Sequence, residues 1–206
     1  MAKKLEEMVR KASKDKSFRE LEKDASEWLK NKAKIARKEN TARRDKRRSN
    51  LLGDESRIAK YIEAGSMYLY NYDAKYKATL PYYDRYPCIM LIDYSGTGHF
   101  IGLNLHYLPP LLRAKLLDAI MDLPTHLTAK KTAMLSYSII RSFAESDLAK
   151  PCLKKYLYSH VQGSFLEIMR DEWHYISALP LAHFVSETGN ASVSRVYKDS
   201  RLKIKG

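Results

Sequence analysis

Apolar positions recur at helical spacing near the start of the chain, vanish, and return with a different period. Leu5, Met8, Val9 and Ala12 are spaced for a short amphipathic helix. Ser17 followed by Glu20 is a capping-box pattern, and Phe18, Leu21, Ala25, Trp28 and Leu29 mark the apolar stripe of a second helix. The stripe fades after Ala36. The fourteen residues from Arg37 to Asn50, RKENTARRDKRRSN, carry no large apolar side chain. Having no face to bury, this segment is expected to be a solvated helix extension or an arm that orders only on binding.

From Gly53 onward the pattern is that of a folded body. Ile58, Tyr61 and Ile62 suggest a short helix ended by Gly65. Met67 to Tyr72 alternates, with Tyr68, Tyr70 and Tyr72 on one side, which predicts a strand over 66–72. Cys88 to Tyr94 is almost wholly apolar and reads as a central strand. A Ser95-Gly96-Thr97-Gly98 turn joins it to a third strand, His99 to Tyr107, giving an antiparallel hairpin over 88–107. Pro109 and Pro110 cannot donate to a ladder but suit a helix's first turn, so a helix is predicted through Met121 with Leu112, Leu116, Ile120 and Leu123 inward. Thr128 is placed to open another, carrying Met134, Leu135, Ile139 and Phe143 and ending before Asp147.

After Pro151 a shorter helix is predicted from Cys152 to about Ser159, then a returning strand from Val161 to Ile168. Asp171 suits the cap of a helix with Trp173 and Ile176 that stops at Pro180. The tail from Val193 to Gly206 is basic and weakly patterned. The expected fold is α+β: a small antiparallel sheet, made of hairpin 88–107 plus strand 66–72, covered by C-terminal helices and preceded by a basic N-terminal helical arm. The chain divides into that arm, 1–53, and an α+β globular domain, 54–206.

Charge sharpens the division. Lysine and arginine number 37 against 24 acidic residues, a net +13 with pI near 9.6. Residues 1–50 hold 18 basic and 9 acidic groups, so +9 of the +13 lies in the first quarter of the chain. A basic arm on a more neutral body points to a polyanionic partner. The two cysteines, Cys88 and Cys152, have no paired spacing and read as buried free thiols. The opening MAKKLEEMVRKAS mixes acids with bases around no apolar core, which argues against a secretory signal. No apolar run approaches the ~18 residues of a membrane span. The expected setting is a reducing cytoplasm or a particle assembled there.

Within Lys30 to Arg48, the cations Lys30, Lys32, Lys34, Arg37, Lys38, Arg43, Arg44, Lys46, Arg47 and Arg48 face only Glu39 and Asp45, a net +8 in nineteen residues. Such density attracts phosphates and releases counterions without reading any base. At a slope of about 0.9 per phosphate, engaging half of these groups costs about two decades of affinity for a threefold to fourfold rise in salt. A solvated helix face, or contact with an acidic protein, is the competing use. Tyr82, Tyr83 and Tyr86, with Tyr76 and beside Arg85, are candidates to stack exposed bases, or to pack their loop against the sheet. Asp84 and Arg85 are candidates for a fixed pair in that loop.

The six histidines form no metal motif. His99 and His106, seven apart on the predicted third strand, fall on opposite faces. His106 is expected to satisfy backbone groups at the Pro109 turn. A metal-dependent nuclease would need carboxylates and a lysine at one sheet edge, and Asp73, Lys75 and Asp93 are the candidates. No GxxxxGKS or GxxxxGKT phosphate loop, GxSxG elbow or HExxH appears, which removes ATPases, serine hydrolases and zincins as readable options. No catalytic residue, metal ligand or cofactor is predicted.

The stretch Leu80 to Asp118 forms one unit of aromatic turn, two strands, proline stop and helix. With Pro81-Tyr82-Tyr83-Asp84-Arg85 leading in and Gly102-Leu103-Asn104-Leu105-His106-Tyr107-Leu108-Pro109 leading out, it resembles the DNA end protector-like proteins of T-even-like tailed phages, a family of virion head and packaging proteins. The resemblance spans roughly residues 65 to 201 and fades in the N-terminal third. It implies a non-enzymatic virion protein, present in the host cytoplasm during assembly and infection. Such a protein would bind the ends of linear double-stranded DNA, act in head completion and packaging, and have portal or neck proteins as further partners. The rival is a structural neck, tail or baseplate subunit whose basic arm binds neighbouring proteins.

Overall fold

The computed structural model describes residues 51–95, 98–121 and 128–205, together with Lys23, Glu27 and Asn31, three exposed helical positions four residues apart. The ten arm cations lie outside the described residues. Eight strands are described: β1 (Met67–Tyr72), β2 (Tyr83–Asp84), β3 (Cys88–Ser95), β4 (His99–Asn104), β5 (Leu153–Leu157), β6 (Val161–Ile168), β7 (Phe184–Ser186) and β8 (Gly189–Ala191). Four α-helices are described: α1 (Pro110–Met121), α2 (Ala129–Ala144), α3 (Trp173–Ala178) and α4 (Val193–Lys205). A five-stranded antiparallel sheet runs β5-β4-β3-β1-β6, and a smaller one runs β2-β7-β8.

The larger sheet is strongly curled. Its two edge strands are joined by only Tyr158–His160. The four steps from Leu157 to Val161 reach roughly 14 Å, whereas a flat five-stranded sheet is about 19 Å from edge to edge. Side chains report the same curvature: Phe100 on β4 and Phe165 on β6 are separated by two strands, yet their rings are 5.3 Å apart. Register shifts at Leu91/Asp93 and Leu69/Asn71 add the local bends that such curling needs. The concave face holds an aromatic cluster centred on Tyr70, whose ring lies 4.9 Å from Phe165, 5.7 Å from Phe100 and 5.7 Å from Tyr156. Burial raises the Tyr70 hydroxyl well above its ordinary pKa, so it remains a neutral phenol.

The convex face carries Met67, Leu69, Cys88, Met90 and Leu103 and is covered by helices. Helix α1 lies deep, with Leu111, Leu112, Ala114, Leu116, Leu117 and Ile120 all buried. Its Arg113 is buried too, and its terminal nitrogens donate to the Ser177 carbonyl at 2.6 Å, the Leu108 carbonyl at 3.1 Å and the Tyr197 hydroxyl at 2.8 Å. Helix α2 starts at the predicted Thr128, whose side chain accepts from the Lys131 amide. Leu51 is also part of this core.

Several expectations change. The helix predicted over Cys152–Ser159 is edge strand β5, because β4 offers it a ladder from His99↔Leu157 to Leu103↔Leu153 that outweighs any local helical preference of LKKYL. The helix expected around Ile58–Ile62 is only a 3-10 turn, Glu55–Arg57. Asp54 caps that turn, Arg57 is held by Glu172 at 2.6 and 3.1 Å, and Ile58 leaves in extended conformation to bridge Leu166. The hairpin's second strand stops at Asn104, whose side chain accepts from the His106 amide and turns the chain into a 3-10 turn, Leu105–Tyr107. Asp171 does not cap α3, which begins at Trp173 after a 3-10 turn, Arg170–Glu172. The basic tail is helical, with its first amides capped by Ser192.

Candidate nucleic-acid interface

The tyrosine lead-in is held by the small sheet. β2 pairs with β7 through Tyr83↔Val185 and Asp84↔Phe184. Tyr82 and Tyr83 are each 7% exposed, and Tyr82 stacks on Tyr107 at 6.1 Å while meeting Phe184 edge-on. Both side chains are thus packed against the fold, the other use the sequence allowed for them. Tyr82 also donates to Asp199 at 3.1 Å, and burial together with that carboxylate pushes its phenol up to about 12. Tyr83 donates to Asp73. Tyr86 is half-buried against the His183 ring, and Tyr76 is 62% exposed with the Lys75 ammonium 5.3 Å from its centroid.

Asp84 does not pair with Arg85. Neighbouring strand residues point to opposite faces, and Asp84 points inward. Its Oδ2 lies 2.7 Å from His106 Nδ1 and accepts from Asn104 Nδ2 at 3.0 Å. Its Oδ1 accepts from the amides of Tyr86 and His183. Asn104 donates further to the Tyr156 hydroxyl at 3.1 Å. His106 therefore serves this carboxylate and not the Pro109 turn, and it lies beyond the strand that carries His99. The dyad resembles a catalytic pair but sits at 1% exposure inside the body, where no substrate reaches it. Its role is to fasten the lead-in loop to the exit of β4.

The nuclease constellation does not assemble. Asp73 follows β1, beside the start of β3, and is held by Lys77 at 2.9 Å, whereas Asp93 lies near the far end of β3, on the order of 25 Å along the ladder. Among the described residues no group of three or more His, Cys, Asp or Glu could hold a metal ion. None of their helices is long and apolar enough to cross a membrane.

A second group of cations emerges from the fold. Lys154 of β5 places its ammonium 4.2 Å above the Tyr107 ring, and Ser200 of α4 donates to the Tyr107 carbonyl at 2.9 Å. One residue thus brings a lysine-rich edge strand beside a lysine- and arginine-rich helix. The sequence held a signal for α4: Ser192 at the cap, then Val196, Ser200 and Ile204 four apart. The cations between them masked it.

Comparison with known proteins gives one family match. The family described as Phage T4 terminal DNA protecting protein matches residues 2–200. The match takes in the cationic N-terminal segment as well as the folded body, further than the two sequence blocks alone suggest. No curated protein and no solved structure matches the chain.

Proposed function

The chain belongs to the family of the phage T4 terminal DNA protecting protein, and on that premise we propose that it binds the ends of a linear double-stranded genome and shields them from host exonucleases during head completion and injection. The observation that carries this reading is the extent of the match, which makes the cationic segment and the body parts of one family unit. The segment 30–48, with ten cations and two anions, supplies sequence-independent attraction to phosphate. Arginine suits this work because its planar fork meets phosphate oxygens in pairs.

The body supplies bulk. Docked at a terminus, it occupies the space from which an exonuclease would load, with no need for chemistry at the DNA. Preference for ends then comes from shape, since neither the sequence nor the described fold offers a helix placed to read a major groove. Portal or neck proteins are the further partners of this reading, as the protein would act where the genome end is held in the particle. The alternative, a structural virion subunit whose arm binds acidic neighbours, uses the same charge and differs in its ligand.

A direct test is to challenge linear duplex with a processive exonuclease after adding the full chain at about 0.1 M salt. Full-length DNA survives if the reading holds. Digestion at the unprotected rate under saturating protein contradicts it.

A further inference from the structure

Residues 51–206 carry nineteen cations and fifteen anions. Eight of those cations and only one of the anions, Asp199, fall in the short segments 150–155 and 193–205. The remainder, eleven cations against fourteen anions, is net negative. Even with Lys150 paired to Asp147 at 2.9 Å, the net positive charge of the body is concentrated in these two segments.

Remote in sequence, the segments adjoin in the fold. The contacts of Tyr107 with Lys154 and Ser200 hold β5 beside α4. On its inner side α4 is anchored by Val196, fully buried, and by Ser200. Its only acid, Asp199, already accepts from the Tyr82 hydroxyl. The outer side presents Arg195 and Lys198, while Lys203, seven residues after Val196, lies on the flank toward Lys154; all three are exposed, and none forms an ion pair with a carboxylate among the described residues. Arg195 stays near its own body only by lying 5.9 Å from the Tyr82 ring.

Lys203 is close enough to act on Lys154. Burial, and then the charge of Lys203, pushes the Lys154 ammonium down to about 8. With Asp199 the single acid among the five cations of α4, the helix keeps a net positive charge that repels itself. An approaching polyanion would relieve that repulsion, and a body negative elsewhere focuses the polyanion onto this side.

We infer that the exposed cations of α4, with Lys154 beside Lys203, form a second phosphate-binding surface, so that duplex DNA is gripped by the folded body as well as by the N-terminal segment. The helix is about 20 Å long. Phosphates of one strand recur every ~3.4 Å along the duplex axis, so cations spread along this helix can meet separate phosphates. A flexible cationic segment alone would bind any stretch of DNA and slide. A second grip on the rigid body fixes how the body lies against the duplex, which is what covering a terminus requires. This inference rests on the DNA-binding function proposed above.

The test uses the full chain with Arg195→Gln, Lys198→Gln and Lys203→Gln combined, all at exposed positions, and measures duplex affinity across a salt series. At about 0.9 per phosphate, the slope of log affinity against log salt becomes shallower by about 2 to 3. Affinity near 0.1 M salt falls at least about tenfold, and the Lys198→Arg and Lys203→Arg variant keeps the parent slope. If the triple variant does not fold, Lys198→Gln and Lys203→Gln singly each lower the slope by about 0.9. A parent that binds duplex while the folded variants keep its slope overturns the second surface and leaves the proposed function standing. A variant that keeps its grip on DNA but loses an acidic virion protein also overturns it, assigning the surface to that protein. A parent that fails to bind duplex at all removes both together.

Discussion

The carboxylate of Asp84 and the imidazole of His106 meet at 2.7 Å, each side chain about 1% exposed. Through this contact and the neighbouring bond from Asn104, the block Pro81 to Arg85 and the block Gly102 to Pro109 become two halves of one junction. The residues that make the sequence recognisable therefore work structurally. They lock an otherwise irregular loop onto the end of a sheet whose curvature leaves little room for error.

Asp84→Ala should be the most damaging single change at this junction. It strands His106, Asn104 and the amides of Tyr86 and His183 without their acceptor, at a cost of about 3 kcal/mol. Urea unfolding measures it. A loss below about 1 kcal/mol would mean that water replaces the carboxylate and that the junction is not buried as described.

Gly102→Ala tests the closeness of β4 to β3. A Cβ there would stand 2.7 Å from Ile89 Cδ1 and 3.0 Å from Ile89 Cβ, and the second of these atoms cannot swing aside. The expected destabilisation is about 1–3 kcal/mol. Adding Ile89→Ala to Gly102→Ala should cost clearly less than the sum of the two single changes. Strict additivity would contradict the contact.

Both thiols are expected to be silent in the native protein. Burial pushes Cys88 and Cys152 up to about 12, so almost no thiolate exists at pH 8, and neither sulfur reaches solvent. Because these folded-state pKa values lie above those of the unfolded chain, their contribution to stability is whole below pH ~8.5 and is lost as pH rises from there toward 12. Labelling with a thiol-specific disulfide reagent at pH 8 should wait for unfolding. Rapid labelling of the folded chain would refute the burial.

Lys154 titrates in the opposite sense. Its folded-state pKa of about 8 lies below the unfolded ~10.4, so the unfolded chain binds the extra proton between those values, and this group makes stability rise with pH across that window. Lys154→Met should accordingly raise the melting temperature at pH 7 and lose that advantage by about pH 10.5. An advantage independent of pH would show that packing, not charge, is what the substitution changes.

How much of this was legible depended on how far each signal reached along the chain. β1, β3, α1 and α2 were readable because period-two tyrosines, an apolar run, a proline start and a Thr128 cap are local marks. β5 was not, since LKKYL acquires its meaning only from β4 beside it. Nor was the curl of the sheet, which follows from the brevity of Tyr158–His160 once the strand order is known. Asp84 and His106, twenty-two residues apart, gave no sign of each other. Lys154 and α4 meet across Tyr107, a residue that sequence reading treats as the end of a strand. The tyrosines of the lead-in were seen, but burial assigns Tyr82 and Tyr83 to packing.

The central claim is that positive charge in residues 30–48 binds duplex termini. The most direct measurement compares linear duplex, nicked circle and closed circle as competitors across a salt series. It uses the full chain and a full-length variant with the ten cations from Lys30 to Arg48 replaced by Gln. The account predicts that linear DNA competes about tenfold or more better than either circle, and that the variant loses several units of salt slope. Equal competition by all three DNAs, or a variant that holds linear ends as tightly as the parent, would contradict it.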